Sequence, residues 1–316
     1  MAIFLITQNL RSKAALEKVY TLKNLPIAST ERTGQILREL HIKPSKSLGQ
    51  NFLICGQTAD KIGQAALLTE GANVLEIGPG LGALSEMLAQ KAAGLTLLEV
   101  DERLCLHLQR LFAGAPHVRV ENADALDFDY VAHAAQRGWP EYHIVGNLPY
   151  YITSSILRCL LLRGGSWQSM TLMMQKEVAE KLKMDSAGGG PLALLLQYFG
   201  SARLVLTAPP DIFFPAPQVQ SAVLHVQRRA EPPFALDDTA AFERFLHAAF
   251  NQRRKTLVNS LSSMLGGGKE LWLAAFKACA IAENQRAEQL TLNEFGALYN
   301  LPSMRMFTGR AEPYAY

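Results

Sequence analysis

The chain alternates short apolar runs with longer stretches of helical periodicity. The first five runs are "NVLEI" (73–77), "LTLLEV" (95–100), "VRVE" (118–121), "HIVGN" (143–147) and "MTLMMQ" (170–175). They are nearly continuous in apolar character instead of alternating, which suits strands covered on both faces by crossover helices and predicts a parallel sheet. Two further runs, "ARLVLT" (202–207) and "AVLHV" (222–226), have no helix-length spacer between them. They predict an antiparallel addition at the sheet edge, connected by the proline-rich "APPDIFFPAPQ". From about Asp237 the pattern is helical to the end, interrupted by "GGG" at 266–268. The expected architecture is an α/β domain with a mostly parallel, seven-stranded, Rossmann-like sheet over 46–230, then a small all-helical domain over 231–302 and a tail over 303–316.

Composition narrows the picture. A chain of 316 residues with 49% hydrophobic content has enough apolar surface for one large core and a smaller one. No apolar run reaches the roughly 18–20 residues needed to span a bilayer. The apolar start "AIFLI" is about half a signal-peptide core, with its basic residues on the wrong side. A cytoplasmic monomer with no membrane partner is expected. Cys55, Cys105, Cys159 and Cys279 are scattered, and no C-x-x-C or H-x-x-x-H spacing occurs. Neither a disulfide framework nor a metal site is predicted. The net charge is +3, but eight Lys or Arg against three acids between Arg11 and Lys46 give that segment +5 and the rest −2. Residues 1–45 therefore read as a basic arm, either a solvated face or a contact for phosphates.

The first strand runs into "EIGPGLGAL", where Gly78, Gly80 and Gly82 let the backbone turn tightly and approach a nucleotide-like ligand. This spacing also fits a dinucleotide fingerprint. Glu99 ends the second strand, where an acid accepts hydrogen bonds from ribose hydroxyls. Asp124, in "NADALDF" after the third strand, is placed to accept from an adenine amino group or to close an Asx-turn or helix cap.

The fourth strand ends in "GNLPYYI" (146–152). Asn147 offers a carboxamide oxygen, Pro149 stiffens the turn and removes a donor, and Tyr150 presents a planar face. Together they suit a flat, amine-bearing base. The exocyclic amine of adenine is a poor nucleophile because its lone pair is delocalised into the ring. Acceptors that hold both N–H bonds favour the pyramidal form, whose localised lone pair can attack an electrophilic methyl. A dehydrogenase would want a proton donor such as His here, and the tip carries none.

"KSLGQNFL" (46–53), "EIGPGLG" (76–82), "GNLPYYI" (146–152), "MMQKEVAEKL" (173–182), "FFPAPQVQSAV" (213–223) and "FNQRRKTLVNSL" (250–261) resemble, in order, the motifs of the KsgA-type small-subunit ribosomal RNA adenine dimethyltransferases. The resemblance implies a class I S-adenosylmethionine-dependent methyltransferase fold. It implies transfer of two methyls to the N6 amino group of each of two adjacent adenosines near the 3′ end of 16S rRNA, with the small ribosomal subunit as partner. Asn51, Leu53, Gly78, Gly80, Glu99, Asp124, Ala125 and Asn147 would hold S-adenosylmethionine. Asn147, Leu148, Pro149 and Tyr150 would hold the target base, with Phe213 as the second stacking face. Two other functions share parts of this pattern: methylation of large-subunit rRNA of the antibiotic-resistance type, and non-catalytic RNA binding.

Two departures stand out. Gln218-Val219-Gln220-Ser221 replaces the family's usual Lys-Val-Asp-Ser, removing a charge of each sign, and Gly190-Pro191-Leu192 replaces Gly-Arg-Leu. The first 25 residues have no recognised counterpart. Arg253, Arg254 and Lys255 in succession would face several directions of a helix, which is poor for a core and good for RNA phosphates.

Overall fold

The computed structural model describes residues 25–66, 69, 71–183, 187–252 and 254–303. Residues 1–24 of the expected arm, 304–316 of the expected tail, and Arg253 lie outside the described residues. In chain order, helix α1 (Thr30–Glu39) precedes the two-residue strand β1 (Phe52–Leu53) and helix α2 (Gly56–Ala65). Strands and helices then alternate: β2 (Asn73–Ile77), α3 (Ser85–Lys91), β3 (Gly94–Glu99), α4 (Glu102–Leu111), β4 (Val118–Asn122), α5 (Tyr130–Arg137), β5 (Tyr142–Asn147), α6 (Thr153–Arg163) and β6 (Trp167–Gln175). Helices α7 (Lys176–Leu182) and α8 (Pro191–Phe199) lead to β7 (Gly200–Ala208), β8 (Phe213–Phe214) and β9 (Ser221–Arg228). Four more helices follow: α9 (Thr239–Phe250), α10 (Leu257–Leu265), α11 (Gly268–Ala278) and α12 (Leu292–Asn300). No helix among the described residues is long and apolar enough to cross a membrane.

The seven-stranded sheet has the order β4-β3-β2-β5-β6-β9-β7. Strands β2 to β6 are parallel, and β9 lies antiparallel between β6 and β7, as the two unspaced runs lead one to expect. Successive residues feed opposite faces. Val74, Leu95, Leu97 and Val145 pack with Ile62 and Leu88 on one side. Leu75, Ile77, Ile144 and Leu172 pack with Ile156, Leu157 and Leu160 on the other. "VRVE" is the exception: β4 ends the sheet, so Arg119 and Glu121 pair on its outer face instead of being covered. Because β3 and β5 flank β2 on opposite sides, the strand order reverses at β2. The crevice outside the carboxyl ends of β2, β3 and β5 is where such sheets bind ligands.

Within the stretch expected as a basic arm, residues 25–45 include α1, capped by Ser29, whose hydroxyl accepts from Arg32 N. Its apolar face, with Ile36 and Leu37, packs with Ile27 and Ile42 against Phe52, Leu81 and Leu104. At the other end of the chain, Phe242, Phe245, Trp272, Phe276 and Phe295 form a second core. Gly266, Gly267 and Gly268 all have positive φ, so the reversal between α10 and α11 follows a path that residues with a Cβ adopt at a cost. The second core takes in Leu194 and Tyr198 of α8, an element that precedes β7 and β9. An ion pair on a buried carboxylate adds to this junction: the partly exposed Arg158 guanidinium on α6 donates two hydrogen bonds to Glu243 on α9, whose carboxylate also meets His247 Nε2 at 3.2 Å. Burial raises the Glu243 carboxyl, but Arg158 and His247 outweigh it and hold it at about 2.

Candidate active site

The chain leaves β2 through Gly78, Gly80 and Gly82, with φ of 66°, 59° and 96°. A Cβ at Gly80 would stand 3.1 Å from the Phe52 ring, so only glycine lets this loop lie against β1. Across the turn stands Glu99, buried at the end of β3. Its Oε2 accepts from Gly80 N at 3.0 Å, and its Oε1 accepts from Val100 N and Asp101 N, each at 3.0 Å. Burial pushes the carboxyl up, against the pull of these backbone donors. A carboxylate has about four acceptor positions, and three are in use. One direction on Oε2 is left for a ligand hydroxyl, so accepting both hydroxyls of a ribose requires one backbone bond to lengthen or give way.

Asp124 follows β4. Its Oδ1 accepts from Leu126 N at 2.8 Å, and Leu126 begins no helix, so the backbone role it plays is the Asx-turn. The opposite wall is the loop before β1, tied by Gln50, whose Oε1 accepts from Ser45 N and whose Nε2 donates to Asp101 Oδ2. Asn51 Nδ2 donates back to Gly49 O at 3.1 Å.

At the tip of β5, Asn147 Nδ2 donates to Asn51 O at 3.0 Å, which fixes the amide's orientation and commits its nitrogen. Leu148 N donates to Met173 O. Pro149 O accepts from Thr153 Oγ1 and Ile152 N, so it is spent on starting α6. Tyr150 shares a hydrogen bond with the Ser221 hydroxyl across from it on β9. Burial pushes the Tyr150 phenol up.

One cavity gathers Asn51, Leu53, Gly78, Gly80, Glu99, Asp124, Ala125, Asn147, Leu148, Pro149 and Tyr150. Phe213 is different. It is 2% exposed, packs with Leu53 and Val223, and is not part of the cavity wall, so the open stacking face expected of it is absent. Opposite Leu53 in the β1–β8 ladder, it shares that residue's face, and of the two only Leu53 reaches the cavity wall. The basic triplet also differs from expectation. Arg254 and Lys255 are exposed, but they stand in the turn between α9 and α10 and not on a helix; Lys255 N donates to Gln252 O. Gln220 Oε1 accepts from Lys176 Nζ at 3.2 Å, so the uncharged residue still binds this lysine without neutralising it. Pro191 occupies the first position of α8, where its missing N–H costs nothing.

The residue that sequence reasoning missed is Glu76. It is 1% exposed, lines the cavity floor, and burial pushes its carboxyl up to about 8, with Glu99 adding to the rise and the Ser85 hydroxyl opposing it. Ser85 is near enough to be felt, yet neither Glu76 Oε2 nor Ser85 Oγ reaches hydrogen-bond geometry with any described residue. A buried carboxyl with one oxygen unpartnered in a cleft is suited to meet a donor or a cation. Its signal was visible: an acid inside the apolar run "NVLEI". Among the described residues no group of three or more His, Cys, Asp or Glu is arranged to hold a metal ion.

A family described as ribosomal RNA adenine dimethylase matches residues 42–302. The ribosomal RNA small subunit methyltransferase A of Pelotomaculum thermopropionicum is 39% identical over 282 residues, covering 86% of this chain and 96% of the relative. That of a Geobacillus species is 37% identical, covering 88% and 98%. Among solved structures, the 23S rRNA methyltransferase ErmE is 27% identical with a TM-score of 0.61, covering 79% of this chain and 98% of its own. A dimethyladenosine transferase from Plasmodium falciparum, 21% identical with a TM-score of 0.67 over 82% and 98%, shares the fold.

Proposed function

The chain belongs to the ribosomal RNA adenine dimethylase family, and from that premise we propose that it dimethylates the N6 amino groups of two adjacent adenosines near the 3′ end of small-subunit rRNA, with S-adenosylmethionine as donor. The observation that carries this reading is the tip of β5. With Asn147 Nδ2 bound to Asn51 O and Pro149 O bound within the turn, the acceptors left for a ligand amine are Asn147 Oδ1 and the Leu148 carbonyl. Two acceptors that hold the N–H bonds of an adenine amine keep its lone pair out of the ring. The tip residues include no carboxylate and no imidazole, so activation comes by orientation. Tyr150 lays its ring against the base, and its bond to Ser221 sets the angle of that ring.

The remaining cavity residues fit the donor. Gly78 and Gly80 put main chain in the cavity wall, and Glu99 keeps one acceptor position for a hydroxyl. Glu76 Oε2 is a buried acceptor matched to a cationic group, and S-adenosylmethionine carries both an ammonium and a sulfonium. When bound, the donor supplies an electrophilic methyl. The protein holds the amine in line with it and keeps water away by burying the floor under Leu84, Leu98 and Ile156.

Transfer of label from methyl-labelled donor to undermethylated small subunits, run beside large subunits, tests the proposal. Label in the small-subunit rRNA at two adjacent adenosines is expected. Label confined to the large subunit would replace this reading with the activity named for ErmE, and label in neither would remove the catalytic reading.

A further inference from the structure

Of the seven exposed large hydrophobic side chains among the described residues, Tyr151 at 61% and Val100 at 51% line the cavity, and Phe214 at 46% and Val219 at 43% lie on the segment that leads into β9. Tyr151 follows the target-base residue Tyr150 and itself lines the cavity. It is held in place from below, because a Cβ at Gly49 would stand 3.2 Å from its ring and from Pro149 Cβ, and Gly49 has a φ of 62°. The ring rests on bare backbone with its other side in solvent. Phe214 stands opposite Phe52, a cavity-lining residue, in the β1–β8 ladder and shares its face; its own ring is exposed, whereas that of Phe213 is buried. The Tyr150–Ser221 hydrogen bond ties the segment of Tyr151 to the strand that follows Phe214 and Val219.

We propose that Tyr151 and Phe214 form a second base platform, outside the cavity, that takes the nucleobase next to the target adenosine. This rests on the functional reading above. An RNA whose base occupies the cavity has its neighbour tethered one nucleotide away, at the mouth. That neighbour leaves the RNA stack when its partner is drawn out, and an exposed ring recovers the lost stacking, roughly 5- to 150-fold in binding per base. Continuity with the cavity makes RNA the occupant. Lys176 favours the same guest: it follows Gln175, the partner of Ser221 in the β6–β9 ladder. Its ammonium is bound to the neutral Gln220 and lies 3.9 Å from Glu180. A substrate methylated at two adjacent adenosines needs both bases presented in turn, and a platform beside the cavity keeps the waiting base in reach.

Single-turnover methylation of undermethylated small subunits by Tyr151→Ala, Phe214→Ala, the double variant, and Tyr151→Trp and Phe214→Trp tests this. Each alanine variant is expected to raise the half-saturating subunit concentration roughly 5-fold or more, with a smaller change in the rate at saturation and with donor affinity and melting temperature close to wild type. Tryptophan should restore binding. Reconstituted particles with an abasic site beside the target should weaken wild type by a similar factor and the alanine variants hardly further. Unchanged half-saturation in the double variant overturns the platform. So does a loss that follows melting temperature, or a wild-type dimer in sedimentation that the alanine variants dissociate. Absence of any transfer by wild type overturns the functional reading itself, a result distinct from failure of the variants alone.

Discussion

The two halves of the cleft are built from different materials. On the donor side the polar groups are held by main chain: Glu99 by three backbone N–H groups, Asp124 by its own turn, and the glycine loop by its fit against Phe52. On the base side each working group hangs on a single bond: Asn147 through its Nδ2 to the Asn51 carbonyl, and Tyr150 through one hydroxyl pair with Ser221. Glu99 cannot be removed without freeing three main-chain donors, whereas Tyr150, held through one hydroxyl pair, can lose function selectively. The donor side also carries a buried carboxyl with one oxygen unpartnered, Glu76, which burial keeps protonated near neutral pH, and the base-side tip carries no carboxyl.

Substitutions sharpen that contrast. The largest effect is expected from Glu76. Its carboxyl is raised to about 8, so the stability it allows is intact below the usual carboxylate range and is lost as pH rises through the folded value. Across pH 4.5 to 8 the ligand-free protein should lose roughly 4–5 kcal/mol on this account, at about 1.4 kcal/mol per unit. Glu76→Gln should flatten the profile in denaturant titrations at successive pH values. A profile equally steep in the variant would mean that the loss arises elsewhere. The donor, if it engages Glu76 through its cation, should displace a proton on binding near neutral pH, which calorimetry in buffers of differing ionisation enthalpy reads directly.

Glu99→Ala removes the remaining acceptor position and orphans three backbone donors at once. Charge-assisted bonds contribute about 1.5–3 kcal/mol, so donor affinity should fall roughly 10- to 150-fold. Thermal stability should fall with it, as the main-chain construction demands. A variant that binds donor normally would remove Glu99 from the site.

Tyr150→Ala should do the opposite: methyl transfer falls roughly 5- to 150-fold by the stacking estimate while donor affinity holds. Tyr150→Phe keeps the ring and loses the bond to Ser221, about 0.5–1.5 kcal/mol, so a loss of roughly 2- to 12-fold is expected. Equal losses in the two variants would show that the hydroxyl matters more than the face. The smallest effect belongs to the turn after α9: Arg254→Ala with Lys255→Ala should reduce the salt dependence of subunit binding by about one to two units of slope and leave donor affinity alone. An unchanged slope would take these residues out of the RNA contact.

Much of this was legible in the chain. Nearly continuous apolar runs marked the parallel strands because both sheet faces are covered, and "VRVE" was rightly read as one of them, though its alternation of apolar and charged residues belongs to an edge strand that leaves Arg119 and Glu121 less covered. Gly78, Gly80, Glu99 and Asp124 were read from glycine spacing and strand ends, which are local features, whereas Asn51, Leu53 and Ala125 came from the family resemblance. The burial of Phe213 was not legible, because which of two adjacent phenylalanines faces outward is decided by a two-residue ladder with β1, too short to leave a periodic trace. Glu76 was readable as a misplaced acid, yet its missing partner is a fact of three dimensions.

The second core reaches back across the chain to borrow Leu194 and Tyr198 from α8. Composition suggests a scissile point near residue 230, but packing crosses it. A fragment ending there would bare an aromatic and a leucine that have nowhere to turn, and would lose the Arg158–Glu243 bond that crosses the junction. For expression, crystallisation or the transplanting of one half onto another scaffold, the workable unit includes both parts, and the seam lies inside an early helix and not at the linker where the letters change.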